Sequence, residues 1–347
     1  MRSSDYKPKG IVLAIVACLL ATLGFIAASL AISARLQIRR SSASLDKVQA
    51  EQLAQGALAV AMQALETDQR DVDYLGEPWA LMERFSPESA DRSLSTWLGS
   101  AWTVKVKVID EAGKIDINAA PTDVLANLKV LDSAMIASIL DWADPDDVPN
   151  PDGAEDNFYS QLPKPYPCKN APFEQVEELL LVKGISAGLF FSTEEQDLAK
   201  GSQDMGGLLF SAPLDPFEGL AQILTVHGSE RININTAPAK VLQAIPYLQN
   251  ETVEEILRIR SGPDGQERTA DDEPFKTMED LLALPGLTEA EKITLQAVAS
   301  FSSNNFTVQI YTERSDKAFR RWYKADLDRH GQTVKVLSWQ ECTLPVW

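Results

Sequence analysis

The sequence predicts an α+β fold in which one long N-terminal helix packs on an antiparallel sheet that is interrupted by a large all-α insertion. Three observations predict this fold. The chain starts with an uncharged apolar segment of helical periodicity, it has alternating segments on both sides of its middle, and the middle contains a duplicated helical motif. The length of 347 residues suggests two or three folding units.

The N-terminal segment predicts a membrane anchor. Residues 11–34 contain no charged side chain, and as a helix they would span about 36 Å, enough to cross a bilayer. Arg2, Lys7 and Lys9 precede them against a single Asp5, so the positive-inside rule keeps the N-terminus in the cytoplasm and exports the rest. A cleaved signal peptide is the alternative, but the apolar run is long and lacks a clear cleavage site.

The junction between the basic leader and the apolar segment resembles a type IV prepilin processing site. In that superfamily the peptidase cuts after the glycine equivalent to Gly10, and the new first residue, here Ile11, is N-methylated. Most members carry glutamate at the fifth mature position, where it neutralises the α-ammonium of a neighbouring subunit in an apolar environment. This chain has Ile15 there, which favours a subunit at the tip of a filament.

Beyond the membrane segment, apolar residues continue at helical spacing to about residue 65, so the helix is expected to extend onto a soluble domain. Residues 102–108 alternate apolar and polar side chains, as a half-buried strand does. Three similar runs lie at 306–312, 318–327 and 333–339, with turns between them. These four strands are predicted to form one antiparallel sheet on the long helix.

An internal repeat fills the middle of the chain. The segment IDINAAP at 115–121 recurs as ININTAP at 232–238, and each is followed by a second helix and a Pro-Phe pair. The copies are predicted to cover about 115–188 and 232–300. Each copy predicts a short strand, an asparagine in a turn or cap (Asn118 or Asn235), a helix opened by Ala-Pro, and a third helix ending at Gly184 or Gly286.

This arrangement resembles the helix-hairpin-helix or SAM-like modules of competence-type DNA receptors, which present backbone N–H groups to phosphate. The hairpins at 128–131 and 245–248 lack glycine, and acidic residues surround Gly286. The chain has 50 acidic against 32 basic side chains and a net charge of −18, which disfavours a polyanionic partner. We therefore predict a structural scaffold with no nucleic-acid partner.

Two acidic loops occupy equivalent places in the two copies and predict cation sites. Carboxylates at this density suit calcium, which takes six to eight oxygen ligands, although the spacing does not match an EF-hand. The alternative is a solvated acidic loop. The candidate ligands are Asp144, Asp146, Asp147, Asp152, Glu155 and Asp156 in the first loop, and Asp264, Asp271, Asp272 and Glu273 in the second.

The remaining chemistry-bearing residues are few. An oxidising compartment permits a disulfide between Cys168 and Cys342, the alternative being two free thiols. The two histidines lie in no recognisable nucleophile motif, and the sequence has no P-loop, HExxH or cysteine-rich zinc pattern. We predict no enzymatic activity.

We call the repeated segments at 115–121 and 232–238 the two boxes. Together, the leader, the two boxes and three further segments resemble the protein K family of the general (type II) secretion pathway. Those segments are DWADPDD at 141–147, GAED at 153–156, and the run from Pro-Phe at 172–173 to Gly184. The resemblance implies an inner-membrane minor pseudopilin that binds calcium and caps the periplasmic pseudopilus with minor pseudopilins I and J. The implied further partners are the major pseudopilin, the inner-membrane assembly platform, and the secretin or an exoprotein.

The predicted organisation follows from these observations. Residues 1–10 form the leader, 11–34 the membrane helix, 35–118 the helix extension and first strand of a pilin-like domain, 119–300 the inserted α-helical domain, and 301–347 the remaining strands. The insertion and C-terminal strands are expected in the periplasm. Alternatives from the same residues are a competence-type DNA receptor and a minor pilin of a type IV pilus.

Overall fold

The computed structural model describes residues 9–68, 71–82, 101–191, 219–229, 231–331 and 333–342. The chain divides into two compact units, Met1–Leu53 and Ala54–Trp347. In chain order the elements are α1 (Lys9–Thr67), β1 (Trp102–Asp110), β2 (Ile115–Asp116), α2 (Thr122–Asn127), α3 (Ser133–Ala143), α4 (Asp156–Tyr159), α5 (Ala187–Phe191), α6 (Leu220–Ile223), β3 (Leu224–Thr225), β4 (Ile232–Asn233), α7 (Ala239–Ala244), α8 (Asn250–Arg260), α9 (Met278–Leu282), α10 (Glu289–Val298), β5 (Ala299–Ser300), β6 (Asn305–Arg314), β7 (Arg320–His330) and β8 (Thr333–Cys342).

The first unit consists of the first part of helix α1. Among the described residues, α1 is the one helix long and apolar enough to cross a membrane, with a mean hydropathy of 2.5 in its most apolar stretch. Its large apolar side chains in this part, such as Leu23 and Phe25, are exposed, as expected for a lipid-facing helix. The predicted long helix and its extension are therefore confirmed, and the apolar part fits a membrane anchor, whose orientation stays a prediction.

The second unit contains the predicted antiparallel sheet. Its strand order is β1-β6-β7-β8, and every neighbouring pair is antiparallel. Alternate residues of β1, from Trp102 through Val104 and Val106 to Val108, are buried, which matches the period-2 pattern of the sequence. Strand β7 runs on to His330, three residues beyond the predicted end at 327, because the hairpin closes tightly at Gly331 with a φ of 56°.

The last turns of α1 belong to this second unit and pack inside it. Ala54, Ala57, Ala61 and Leu65 are buried along one side of the helix, and the Val334 N–H of strand β8 donates to Glu66 at 3.3 Å. Small side chains allow close approach of the helix to its neighbours. The predicted packing of the helix end on the sheet is therefore confirmed.

The α-helical insertion between β1 and β6 consists of two closed copies of the repeat. In the first copy β2 pairs in parallel with β3, and in the second β4 pairs in parallel with β5. Each box strand thus pairs with a strand that follows the last helix of its own copy. This closure extends the first copy to Thr225, beyond the predicted end at residue 188, whereas the second ends near the predicted residue 300.

The three helical segments predicted in each copy are present, with one difference, and the copies also contain the unpredicted helices α4, α5, α6 and α10. The second helices, α3 and α8, bury Ile136, Ile139, Val253 and Ile256. The third helix is the α-helix α9 in the second copy but a 3₁₀ helix, Val176–Leu181, in the first. Both end before the glycines, and Gly184 and Gly286 lie in the following turns with φ of 88° and 82°.

The two copies pack against each other and share one hydrophobic core. Leu125, Leu179 and Ile139 of the first copy belong to the same buried cluster as Leu242 and Leu281 of the second. The Asn127 amide donates to the Ala244 carbonyl at 3.2 Å. These residues are 117 positions apart, which is the offset of the repeat, so they are equivalent positions in the two copies. Equivalent helices α2 and α7 therefore meet at the contact between the copies.

Candidate metal centre

Asp141, on the last turn of α3, organises the first acidic loop. Its carboxylate is fully buried and accepts hydrogen bonds from the Asn150 N–H at 3.0 Å, the Asn150 amide at 2.6 Å and the Ala154 N–H at 2.6 Å. Position 153 in this loop requires glycine, because a Cβ on Gly153 would overlap the Asp141 carboxylate. The loop is therefore folded back onto the end of α3.

This folding brings three carboxylates together, which we call the first-loop cluster: Asp141, Asp144 and Glu155. One oxygen from each lies within 4.8 Å of the others. Asp144 Oδ1 and both carboxylate oxygens of Glu155 are buried and have no hydrogen-bond partner among the described residues. Only 2% of the Glu155 surface is exposed, so its ionised form is poorly hydrated.

The electrostatics of the first-loop cluster are unfavourable without a cation. Burial, together with the charges of Asp141 and Asp144, raises the pKa of Glu155 to about 7, and burial also raises the pKa of Asp144. Lys183 reaches the loop, but its ammonium donates to the carbonyls of Asp152 and Gly153, both at 3.0 Å, rather than to a carboxylate. Like charges at this separation repel one another strongly in a buried site.

The residues present fit a hard divalent cation. Unpartnered carboxylate oxygens are the ligands that calcium prefers, and the amide oxygen of Asn170 in the same loop region is a further buried oxygen without a hydrogen-bond partner among the described residues. Two of the six predicted first-loop ligands, Asp144 and Glu155, belong to the cluster. Sequence reasoning missed Asp141, although Asp141 stands three positions before Asp144, a helical spacing that places both on one face.

The other predicted residues of the first loop lie outside the cluster and have different roles. Asp146 accepts from the Val148 N–H at 2.8 Å, Asp147 from the Asn170 amide at 2.8 Å, and Asp156 from the Cys168 N–H at 3.2 Å. Asp152 adopts a left-handed conformation with a φ of 64°. These residues shape the loop by local hydrogen bonds.

The second acidic loop does not gather its carboxylates. Asp264 accepts from the Gln266 N–H, Asp271 from the Asp264 N–H and the Thr269 hydroxyl, and Asp272 from the Arg268 and Thr269 N–H groups. Glu273 is exposed. No three of these carboxylate oxygens converge within the part of the chain that the structure describes, unlike those of the first loop, and the second-loop ligands stay a prediction.

A second acidic group, which we call the junction cluster, lies where the end of α1, the sheet and the insertion meet. It contains Asp68, Asp73, Glu77, Asp110 and Arg329. The Arg329 guanidinium donates to both oxygens of Asp73 at 2.6 Å and to Asp68 at 3.2 Å. A positive side chain is thus already built into this cluster.

Asp110, at the end of β1, connects the sheet to the second copy of the repeat. It is buried, and one of its oxygens accepts from Asn233 at 2.9 Å, Thr236 at 2.5 Å and Ser303 at 2.6 Å. Burial nevertheless raises its pKa and raises the pKa of Asp73 to about 7, against the opposing effect of Arg329. Burial raises the pKa of Glu77 as well.

Of the two alternatives for Cys168 and Cys342, a disulfide or free thiols, the structure shows free thiols. The Cys168 thiol donates to the Asp141 carbonyl at 3.7 Å, beside the first-loop cluster, and burial raises its pKa to about 11. Cys342 lies at the end of β8, opposite Trp322 of β7. Their different surroundings, one in the insertion and one in the sheet, explain why they remain unpaired.

The processing site at Gly10 and Ile11 lies at the start of α1, where the structure describes only the backbone. Both residues are helical. Cleavage after Gly10 and methylation of Ile11 stay predictions.

These features together define a class of protein: a pilin-like α+β subunit with an apolar N-terminal helix and a duplicated α-helical insertion in its sheet. Two family models, both described as Type II secretion system protein K, match residues 118–192 and 232–301, and these ranges cover the two copies of the repeat. Over these two ranges the chain matches the type II secretion system protein K family.

Individual relatives agree with this assignment. The type II secretion system protein K of Klebsiella pneumoniae is 25% identical over 198 residues, which cover 54% of this chain and 61% of the relative. That of Pectobacterium carotovorum subsp. carotovorum is 26% identical over 198 residues, covering 53% and 60%. The chain thus matches about 60% of the length of these curated relatives.

A solved structure has the same fold. A chain of the GspK-GspI-GspJ complex from the enterotoxigenic Escherichia coli Type 2 Secretion System matches with a TM-score of 0.60 at 20% identity. The match covers 87% of this chain and 99% of that chain. The similarity therefore extends well beyond the two repeats to the pilin-like part.

Proposed function

We propose that this protein is a minor pseudopilin of a type II secretion system, with a mechanical rather than a catalytic role. The observation that carries the proposal is the match of both repeat copies to protein K models, on a chain with a pilin-like sheet and an apolar N-terminal helix. In this role the helix is inserted in the inner membrane with its N-terminus in the cytoplasm. The leader is removed at Gly10, and the second unit lies in the periplasm.

The proposed place of the protein is the tip of the pseudopilus. The solved relative of like fold comes from a complex named for three proteins, which supports minor pseudopilins I and J as partners. Position 15 is isoleucine, so the chain lacks the carboxylate that would neutralise the α-amine of a neighbouring subunit above it. A terminal subunit has no such neighbour and does not need this carboxylate. Assembly would start from the three membrane helices, and the bulky insertion would stop further subunits from adding beyond it.

We further propose that the first-loop cluster holds calcium. The unpartnered oxygens of Glu155 and Asp144, together with Asp141, would coordinate the ion. Bound calcium would offset the repulsion among these carboxylates and hold the loop against the end of α3. A melting temperature of the full chain that falls on addition of EDTA supports this, and one that does not change contradicts it.

Co-purification tests the tip assignment. The full-length chain is expressed with minor pseudopilins I and J from the same organism, extracted in detergent with calcium, and isolated through a tag on this chain alone. The proposal predicts a complex of the three proteins. Isolation of this chain without either partner would contradict it, and a shift of duplex DNA at physiological salt would favour the DNA-receptor alternative instead.

A further inference from the structure

We propose that three arginines directly beyond the apolar segment, Arg35, Arg39 and Arg40, bind the phosphate groups of anionic phospholipids and fix the depth of helix α1 in the bilayer. We call these three residues the arginine collar. The inference rests on the membrane insertion proposed above, with the residues beyond 34 on the periplasmic side. It concerns a lipid-binding surface, which insertion alone does not require.

The collar contains the first charged side chains after the apolar segment. Residues 11–34 carry no charge, and the first acidic side chain beyond them is Asp46. Positions 35 to 40 therefore carry three positive charges and no negative charge. A polar end is enough to stop an apolar helix at the bilayer surface, so a run of positive charge points to an anionic partner at that surface.

The structure leaves the collar open to such a partner. All three arginines lie within helix α1, and Arg35 and Arg40 are exposed. Neither of these two side chains makes a hydrogen bond or ion pair with another residue that the structure describes. Arg35 and Arg39 are four positions apart on one helix, a spacing at which like charges repel each other. Bound anions would offset this repulsion.

Helix geometry places the collar at the level of the phospholipid phosphates. Residues 11–34 extend about 36 Å as a helix, slightly more than the hydrocarbon core of roughly 30 Å. The phosphate groups lie just outside that core, and a long arginine side chain can extend along the helix to reach them. A guanidinium forms two parallel hydrogen bonds with a phosphate, so arginine suits this ligand better than lysine.

The distribution of the collar around the helix favours lipid over a neighbouring protein helix. At 100° per residue, positions 35, 39 and 40 cover about 140° of the circumference. A packed helix contacts a narrower seam, and burial of three unpaired charges against it would be costly. Headgroups surround a membrane helix on every side, and Leu36 and Gln37 between the arginines are exposed as well.

The charge of the remaining chain gives the collar a distinct role. Residues 46–347 contain 49 acidic and 26 basic side chains, so an anionic membrane surface repels them on balance. The collar has the opposite charge and directly follows the membrane segment. It is therefore the one charged run beyond residue 34 that lies beside the bilayer and is attracted to anionic headgroups.

Spin-labelled lipids test the inference. Full-length protein is reconstituted in vesicles of phosphatidylcholine with about one third phosphatidylglycerol, and electron spin resonance measures the relative association of each labelled lipid with the protein. Every protein in the comparison carries Arg2→Gln, Lys7→Gln and Lys9→Gln, because the leader attracts anionic lipid as well. We expect phosphatidylglycerol to associate at least about threefold more strongly than phosphatidylcholine. Replacement of all three collar arginines by glutamine should abolish this preference.

Lys47→Gln is the matched control for a single substitution. Lys47 is exposed on the same helix, about 18 Å beyond Arg35, which is more than a Debye length at physiological salt. We expect Arg35→Gln to reduce the preference for phosphatidylglycerol and Lys47→Gln to leave it unchanged. Equal effects of the two substitutions would overturn the assignment of the preference to the collar.

The outcomes distinguish the inference from the proposed function. Resistance to extraction by alkaline carbonate shows for each variant whether the helix is inserted. A protein that is extracted from both kinds of vesicle would overturn the membrane insertion and with it both proposals. Stable insertion with equal association of the two lipids would overturn the inference alone. If the collar variant then also failed to co-purify with minor pseudopilins I and J, the collar would be a protein contact instead.

Amide hydrogen exchange provides a second readout at the collar itself. We expect residues 35–45 to exchange more slowly in vesicles that contain phosphatidylglycerol than in phosphatidylcholine alone, because headgroup binding holds this part of α1 at the surface. The difference should disappear in the collar variant and at high salt, which screens the attraction. The same exchange in both kinds of vesicle for the unsubstituted collar would contradict its role in fixing the depth of the helix.

Discussion

Asn118 and Asn235 each clamp a segment that lies far away in the sequence. The Asn235 amide donates to the Phe275 carbonyl at 2.9 Å and its oxygen accepts from the Phe275 N–H at 2.8 Å; Asn118 makes the same pair of bonds with Phe173. The sequence predicted a turn or cap at both positions. It could not predict the clamp, because the partners lie 40 and 55 residues away.

The two clamps differ in burial, which gives a matched pair of substitutions. Asn235 is buried and Asn118 is exposed. We expect Asn235→Ala to lower the free energy of unfolding by about 2 to 4 kcal/mol, because it leaves a buried N–H and a buried carbonyl unpaired. Asn118→Ala should cost about 1 kcal/mol, because water can replace its bonds. Urea denaturation at fixed calcium measures both, and equal costs would contradict the clamp.

The same limit applies to the first-loop cluster at the residue scale. The acidic composition of the loop predicted a cation site, and Asp144 and Glu155 lie in it. The selection among the six candidates depends on Asp141, which folds the loop by accepting from Asn150 and Ala154. Hydrogen bonds to backbone groups 9 and 13 positions away cannot be predicted from composition. The spacing of Asp141 from Asp144 is the one sequence signal for this role.

At the scale of elements, the sequence predicted the long helix, the four sheet strands, and the first strand and three helical segments of each copy. It did not predict α4, α5, α6 and α10, nor which short elements pair. Strands β2 to β5 have two residues each, and their parallel pairing brings together positions as distant as Ile115 and Leu224. The four sheet strands were predictable as one sheet because their alternation is long and regular. The closure of each copy was not, since two-residue strands carry no period.

Helix α10 is tied to α8 by one carboxylate. Glu291 accepts from the Gln249 N–H, the Thr252 hydroxyl at 2.6 Å, and both the N–H and hydroxyl of Thr288. Burial acts to raise its pKa, but these hydrogen bonds outweigh that effect and lower the pKa to about 2. Its contribution to stability is therefore complete above the ordinary pKa of glutamate and lost only as the pH falls towards 2.

Substitution of Glu291 should weaken the attachment of α10 to α8. We expect Glu291→Ala to lower the free energy of unfolding at pH 7 by about 2 to 3 kcal/mol, because the donors of α8 and of the Thr288 cap lose their acceptor. Glu289→Ala is the matched control on the same helix, since its side chain is 83% exposed and should cost less than about 0.5 kcal/mol. Similar costs for the two would argue against the tie.

At the scale of the whole molecule, the junction cluster holds together the parts that the sequence predicted separately. Asp73 accepts from the Ser303 N–H at 2.7 Å, its own carbonyl accepts from Asn233, and Arg329 of the sheet clamps its carboxylate. The cluster thus contains four carboxylates, Asp68, Asp73, Glu77 and Asp110, and one guanidinium, which donates to Asp68 and Asp73. Sequence reasoning assigned no role to any of these five residues, because they come from three distant segments, 68–77, 110 and 329.

This excess of buried carboxylates makes stability depend on pH. Burial raises the pKa of Asp73 from its ordinary value of 3.8 to about 7 in the folded state. Between these two pH values the folded state therefore binds more protons than the unfolded state. The free energy of unfolding should therefore fall as the pH rises from 5 to 8, by about 1 to 3 kcal/mol at saturating calcium.

Variants assign this pH dependence to the junction cluster. Glu77→Gln removes one of the raised carboxyls and should flatten the decline, whereas the exposed control Glu289→Gln should leave its slope unchanged. Urea denaturation at several pH values measures all three proteins. A stability that rises with pH, or a slope that is the same in Glu77→Gln, would contradict the expected protonation.

The most direct measurement of the central claim is secretion itself. In a strain that lacks this chain, we expect folded exoproteins of the type II system to accumulate in the periplasm, and expression of the full-length chain should restore their release into the medium. Release at the normal level without the chain would contradict its assignment as a working pseudopilin of this system.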